Sequence, residues 1–132
     1  MIKPDKPDNE AQRLEVLQRY AVLDTAEEAA FDDLVKIAAG ICGAPAATVS
    51  LIDADRQWFK ARHNLELTET SRDTSFCGHA ILDPGNVMVI PDATADERFF
   101  DNPLVTTEEG IRFYAGAPLL SSEGYAVGTL CV

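Results

Sequence analysis

The sequence predicts an α+β domain built on an antiparallel sheet. Three observations carry that reading. Two segments of helical periodicity precede any strand. The strands that follow are joined by turns of hairpin length, with helical or irregular crossovers between them. Several strands are apolar on both faces, as in Val49 and Leu51 against Ile52, or Leu119 against Leu120, so both faces of the sheet must be covered. At 132 residues and 46% hydrophobic content the chain holds one core and is too short for two.

Residues 1–8 carry Pro4 and Pro7 among mixed charges without periodicity and are expected to be a disordered leader, leaving residues 9–132 as the folded domain. From Asn9 to Leu23, Leu14, Leu17, Tyr20, Ala21 and Leu23 follow helical spacing, with Val16 widening the stripe. Thr25 and Glu28 have the spacing of a capping box for a second helix. Its apolar face is Phe31, Leu34, Val35, Ala38, Ile41 and Cys42, and Gly43 and Pro45 end it.

The first strand is expected over Ala46 to Asp53 and the second over Arg56 to Asn64, where large apolar and charged residues alternate around Trp58 and Phe59; Asp53-Ala54-Asp55 supplies the turn. After a polar link from Leu65 to Thr74, Ser75 to Leu82 predicts a short helix that Asp83, Pro84 and Gly85 stop. Val87 to Pro91 is a third strand, and Asp92 to Val105 an acidic loop with room for one helical turn. Arg112 to Leu120 is a fourth strand and Tyr125 to Val132 a fifth, joined through Ser121-Ser122-Glu123-Gly124. The sequence ends within an apolar strand, so a domain cut short before a C-terminal helix and an output region is expected.

Charge and cysteine usage narrow the function. Twenty-two acidic residues against eleven basic ones give a net charge of −11, which repels nucleic-acid phosphates and anionic membranes. No apolar run approaches the roughly 20 residues of a membrane-spanning helix, and Met1 to Asp5 opens no signal-peptide core, so a cytoplasmic location is expected. Cys42, Cys77 and Cys131 are odd in number and widely spaced, which fits a reducing compartment; no CxxC or HExxH metal motif occurs.

Four stretches in this order carry a family resemblance: Asp55-Arg56-Gln57-Trp58-Phe59-Lys60; SFCGHAI from Ser75 to Ile81; VIPDATADERFFDNPLV from Val89 to Val105; and RFYAGAPL with VGTLCV at the end. Together they resemble a GAF domain over about residues 9–132, in particular the bacterial subgroup at the N-termini of sensor histidine kinases and of diguanylate cyclases, which make cyclic di-GMP. The resemblance implies a PAS-like sheet with its five strands in the order 2-1-5-4-3 and dimerisation through the terminal helices. It also implies a pocket between the sheet and the crossover segments, and a regulatory role in two-component or cyclic di-GMP signalling. It fixes no ligand. Bilin-binding members carry Cys directly before His, whereas Gly78 separates Cys77 from His79. Cyclic-nucleotide-binding members carry an Asn-Lys-Phe-Asp-Glu signature, and no lysine follows Lys60. Members that reduce free methionine sulfoxide space their cysteines differently. The residues give no motif support for haem either, so the cofactor is left unknown.

Cys77 lies in the first turn of the short helix, where a helix N-terminus favours thiolate and a redox or covalent role, but free cysteine is among the most buried residue types, so a packed small hydrophobe beside Phe76 is the expectation. His79 can bind a ligand or fix the helix through loop backbone, and at a separation of two the pair cannot share a helix face. An enzyme with Cys77 as nucleophile would need His63 or His79 as its base. Ala115-Gly116-Ala117 leaves room in the fourth strand, next to Phe113 and Tyr114, for a helix or a ligand. The candidate pocket is therefore Phe76, Cys77, His79, Phe113, Tyr114 and Gly116, and the candidate dimer contact is Leu14, Leu17 and Ala21. The expected function is a non-catalytic sensor domain that binds a small ligand or partner and controls a covalently linked output domain, a histidine kinase or diguanylate cyclase, through a homodimer. The alternatives are a dimerisation module without a ligand and a cysteine-based redox sensor.

Overall fold

The computed structural model describes residues 1–132. Helices α1 (Glu10–Tyr20) and α2 (Ala29–Cys42) come first. Strands β1 (Ala47–Ile52), β2 (Arg56–His63) and β3 (Glu69–Ser71) follow, then the short helix α3 (Phe76–Ala80) and strand β4 (Met88–Ile90). A single helical turn, α4 (Pro103–Thr106), interrupts the acidic loop, and β5 (Tyr114–Leu120) and β6 (Ala126–Cys131) close the chain.

The six strands form one antiparallel sheet in the order β3-β2-β1-β6-β5-β4. Five of them stand in the expected order. The sixth, β3, falls in the stretch expected to be a polar link. It pairs only with β2, along three residues at the sheet edge, so its Glu-Thr-Ser sequence has no apolar alternation to announce it.

Both faces of the sheet are covered. On one, Val35 and Ala39 of α2 pack on Val49 and Ala61, while Val16 and Leu17 of α1 pack on Leu51 and Val127. On the other, Phe76, Cys77 and Ile81 of the α3 segment join Phe99, Val105 and Ala93 of the acidic loop over Ile52, Ile90, Tyr114, Ala126 and Cys131. This second core is the larger, and α3 lies inside it.

One local expectation is corrected. The Thr25–Glu28 capping box does not form: Glu28 precedes the first residue of α2, and neither side chain caps the helix. The buried ammonium of Lys60 competes for both groups, donating to Thr25 Oγ1 at 2.8 Å and to the Ala26 carbonyl at 2.6 Å, and pairing with Glu28 Oε2 at 2.6 Å. A buried cation without such partners would cost several kcal/mol, about 3–5 when a partner is removed, which outweighs one cap at about 1. At the other end of α2, Gly43 takes the expected left-handed conformation with φ of 61°.

The N-terminal residues, expected to be a disordered leader, meet the fold. Residues 1–7 have no regular structure, yet they lie against α3 and the acidic loop. The Ile2 amide donates to the Arg98 carbonyl at 3.1 Å, the Ile2 carbonyl bonds the His79 ring at 2.9 Å, and the terminal ammonium pairs with Asp101. These partners are made by the tertiary fold, so no periodicity in the leader itself could signal them.

Candidate functional site

Ser75 sets the position of α3. Its hydroxyl accepts from the Gly78 amide at 3.1 Å, capping the helix, and donates to the Arg72 carbonyl at 2.7 Å. Asn102 reaches across from the acidic loop to donate to the Thr74 carbonyl at 3.0 Å. Phe76 then stacks on Phe99 with ring centroids 4.0 Å apart, and His79 meets the edge of the same ring at 5.0 Å.

Phe76, Cys77, Tyr114 and Gly116 are brought together, but as packed core. Cys77 Sγ accepts from Tyr114 Oη at 3.1 Å and from Thr129 Oγ1 at 3.0 Å, and it lies 3.8 Å from Cys131 Sγ. The space over Gly116 is filled by Tyr114 itself: a Cβ at Gly116 would stand 2.1 Å from the phenol oxygen. Phe113 lies apart from this group and is exposed.

His79 borders a real cavity. A half-open cleft of about 300 Å³ is lined by His79, Ala80, Leu82, Asp83, Asn86, Val87, Met88 and Arg98, between the end of α3 and the start of β4. That volume is at the lower end of small-molecule pockets, which run from about 300 to 1,000 Å³. Burial lowers the pKa of His79, so the ring is held neutral. Arg98 is paired to Asp96 by bonds of 3.0 Å from Nε and Nη2, which leaves Nη1 facing Met88 Sδ at 3.7 Å. Asp83, Asn86, Met88 and Arg98 were not singled out from the sequence, because they sit in turns and strand starts that carry no periodic signal.

Neither histidine touches Cys77. His79 makes its side-chain hydrogen bond to the Ile2 carbonyl, and the partners of Cys77 are hydroxyls and a second thiol. Burial raises the pKa of the Cys77 thiol well above its ordinary value, opposite to the effect expected of a helix N-terminus, because α3 is too short and too deeply buried to compensate desolvation. Nucleophilic chemistry through a Cys77–histidine pair has no geometric basis here.

The proposed dimer stripe divides. Leu17 is 1% exposed and packs under α1 in its own domain, so it has no surface to offer a partner; Leu14 is half-buried and Ala21 exposed. The apolar residues left uncovered on the helical layer are Tyr20 at the end of α1 and a run of three on α2, Leu34, Ile37 and Ile41, the last 81% exposed. Inside α1, Arg13 is fully buried and shares Glu10 with Arg72: Arg13 Nε donates to Glu10 at 3.0 Å and Arg72 Nη2 at 3.0 Å. Two guanidinium groups against one carboxylate fix α1 to the residues just before α3.

The GAF domain profile matches residues 26–132. The chain belongs to the GAF domain family. Its sequence is 41% identical over all 132 residues to a cyclic di-GMP phosphodiesterase, PA2567, of Pseudomonas aeruginosa, of which it spans 22%. Among solved structures, this GAF domain is similar to that of a phosphoenolpyruvate-protein phosphotransferase from Coxiella burnetii, with a TM-score of 0.62, 17% identity, and coverage of 93% of this chain and 76% of that one. It is also similar to a free methionine-R-sulfoxide reductase of Neisseria meningitidis, solved with its substrate, at a TM-score of 0.58 and 21% identity over 99% and 78% of the two chains. At these identities the structural likeness establishes the fold. No helix of this GAF domain is long and apolar enough to cross a membrane.

Proposed function

We propose that this GAF domain is the sensor segment of a longer cytoplasmic signalling protein, and that it takes a small ligand in the cleft beside His79 and passes the signal to a linked output domain through a homodimer. The observation that carries the reading is the full-length 41% identity to a segment amounting to 22% of a cyclic di-GMP phosphodiesterase, which favours turnover of that nucleotide as the output. The rest of such a protein would hold the catalytic machinery. The cleft supports a ligand role because it joins an apolar wall, Ala80, Val87 and Met88, to the polar groups of His79, Asp83, Asn86 and Arg98. The uncovered stripe of Leu34, Ile37 and Ile41 supports α2 as the dimer contact.

The dimerisation module without a ligand has one observation in its favour, the filling of the space over Gly116 by Tyr114. Leu82→Trp separates the two. Leu82 lines the cleft and is itself exposed, so the larger ring obstructs the site without overpacking the core. In the longer protein, a changed output rate with an unaltered oligomeric state supports a ligand in the cleft. An unchanged rate overturns it and leaves the module.

A further inference from the structure

The larger core contains a polar cluster that packing does not require. Cys77 Sγ on α3 and Cys131 Sγ on β6 face each other at 3.8 Å, and four hydroxyls surround them. Tyr114 and Thr129 donate to Cys77 at 3.1 and 3.0 Å; Thr48 lies 2.9 Å from Cys131 and 2.7 Å from Ser50 Oγ, which is 3.9 Å from Cys131. Thr129 and Ser50 are wholly buried, Thr48 and Tyr114 nearly so. A core that needed only volume at these places would be served by valine, alanine and, in place of Tyr114, phenylalanine, without the desolvation of four hydroxyls.

We propose that Cys77 and Cys131 are a dithiol that a hydroperoxide oxidises to an intramolecular disulfide, tying α3 to β6. A disulfide requires sulfurs about 2.05 Å apart on Cβ atoms about 3.8 Å apart. The sulfurs stand 3.8 Å apart on α3 and β6, so forming the bond requires them to approach by rotation of the two side chains and movement of α3 toward β6. The hydroxyls supply what the chemistry needs in a dry site: donors that stabilise a thiolate as it forms, and partners for the departing oxygen. Of the two thiols, the hydrogen bond from the Cys77 thiol lowers the pKa of Cys131, with Thr48 beside it, while burial pushes that of Cys77 up.

The Cys131 thiolate attacks one oxygen of the hydroperoxide; the O–O bond breaks, an alcohol leaves after taking a proton, and Cys131 becomes a sulfenic acid, oxidised by two electrons. The Cys77 sulfur then attacks the Cys131 sulfur; the S–S bond forms, the S–O bond breaks, and the oxygen leaves as water with the Cys77 proton. Closing the bond withdraws the acceptor that Tyr114 and Thr129 now share, which makes the disulfide a readily reduced one. Because α3 also carries His79 and Ala80 of the cleft, oxidation would be felt there, yet the reaction itself requires no ligand.

The test uses the chain with Cys42→Ser, since Cys42 is exposed and would form intermolecular disulfides. The protein is treated with hydrogen peroxide, blocked with an alkylating reagent under denaturing conditions, and digested with trypsin without reductant. The expected product is a linked pair of peptides, residues 73–98 with residues 113–132, that dithiothreitol separates, together with a monomer 2 Da lighter than the untreated one. If peroxide leaves both thiols alkylatable, or takes them separately to sulfinic or sulfonic acids with no linked pair, the proposal is overturned. This readout is made on the wild-type Cys77 and Cys131 and does not depend on a variant of either residue folding.

Discussion

Tyr114 reaches the sulfur of Cys77 by laying its phenol ring over Gly116, two residues along the same strand face. The glycine is needed because a methyl group there would fall 2.1 Å from the phenol oxygen and 2.6 Å from the ring carbon that bears it. Gly116→Ala should therefore cost about 1–3 kcal/mol through overpacking, and Gly116→Leu more, with loss of the Tyr114–Cys77 bond. Chemical denaturation measures both. A Gly116→Ala variant as stable as the parent would mean that Tyr114 can leave this position freely.

The Glu10 cluster predicts acid sensitivity. Burial alone would raise the carboxyl pKa, but hydrogen bonds from Arg72 and Arg13 and their charges overcome it and lower the value from 4.5 to about 2. The folded state thus binds the Glu10 proton less readily than the unfolded chain. Its contribution to stability is complete above pH 4.5 and lost as pH falls through about 2. Glu10→Gln should flatten the stability profile in that window. It should also lower stability near neutrality by about 3–5 kcal/mol, because two buried guanidinium groups lose their carboxylate. Urea midpoints between pH 2 and 7 for both proteins check the slope and the offset.

The two helices should answer differently to the same substitution. Leu17→Glu places a carboxylate in the core over Leu51 and Val127 and should unfold the domain. Ile37→Glu with Ile41→Glu changes only exposed residues and should leave the melting temperature nearly unchanged while converting a dimer to monomer. Light scattering and thermal melting, run together, distinguish loss of the dimer from loss of the fold. A dimer that survives both α2 changes places the contact elsewhere.

Thiol labelling in native buffer should be strongly graded. Cys42 is exposed at the end of α2 and should react at the rate of a free thiol, whereas Cys77 and Cys131 should wait for local opening of the core. Mass spectrometry of peptides after timed alkylation gives the three rates separately. Fast labelling of Cys77 would show that α3 is open in solution.

The sequence alone determined the class of fold, because periodicity, turn residues and doubly apolar strands are local facts. Helical spacing marked α1 and α2, Gly43 marked the end of α2, and the Ser75 cap marked α3, each where a few neighbouring residues decide the outcome. The face alternation of β6 also holds a signal for the sulfur cluster: Thr129 and Cys131 share one side, as Thr48 and Ser50 do on β1. What only the tertiary structure decided is which of these faces meet. The Thr25–Glu28 box gave way to Lys60, a residue more than thirty positions away, because a buried ammonium demands oxygens more strongly than a helix end demands a cap. The room at Gly116 went to Tyr114, and Cys77 found Cys131 across 54 positions, because register between strands and the placing of α3 are set by the packing of the whole core.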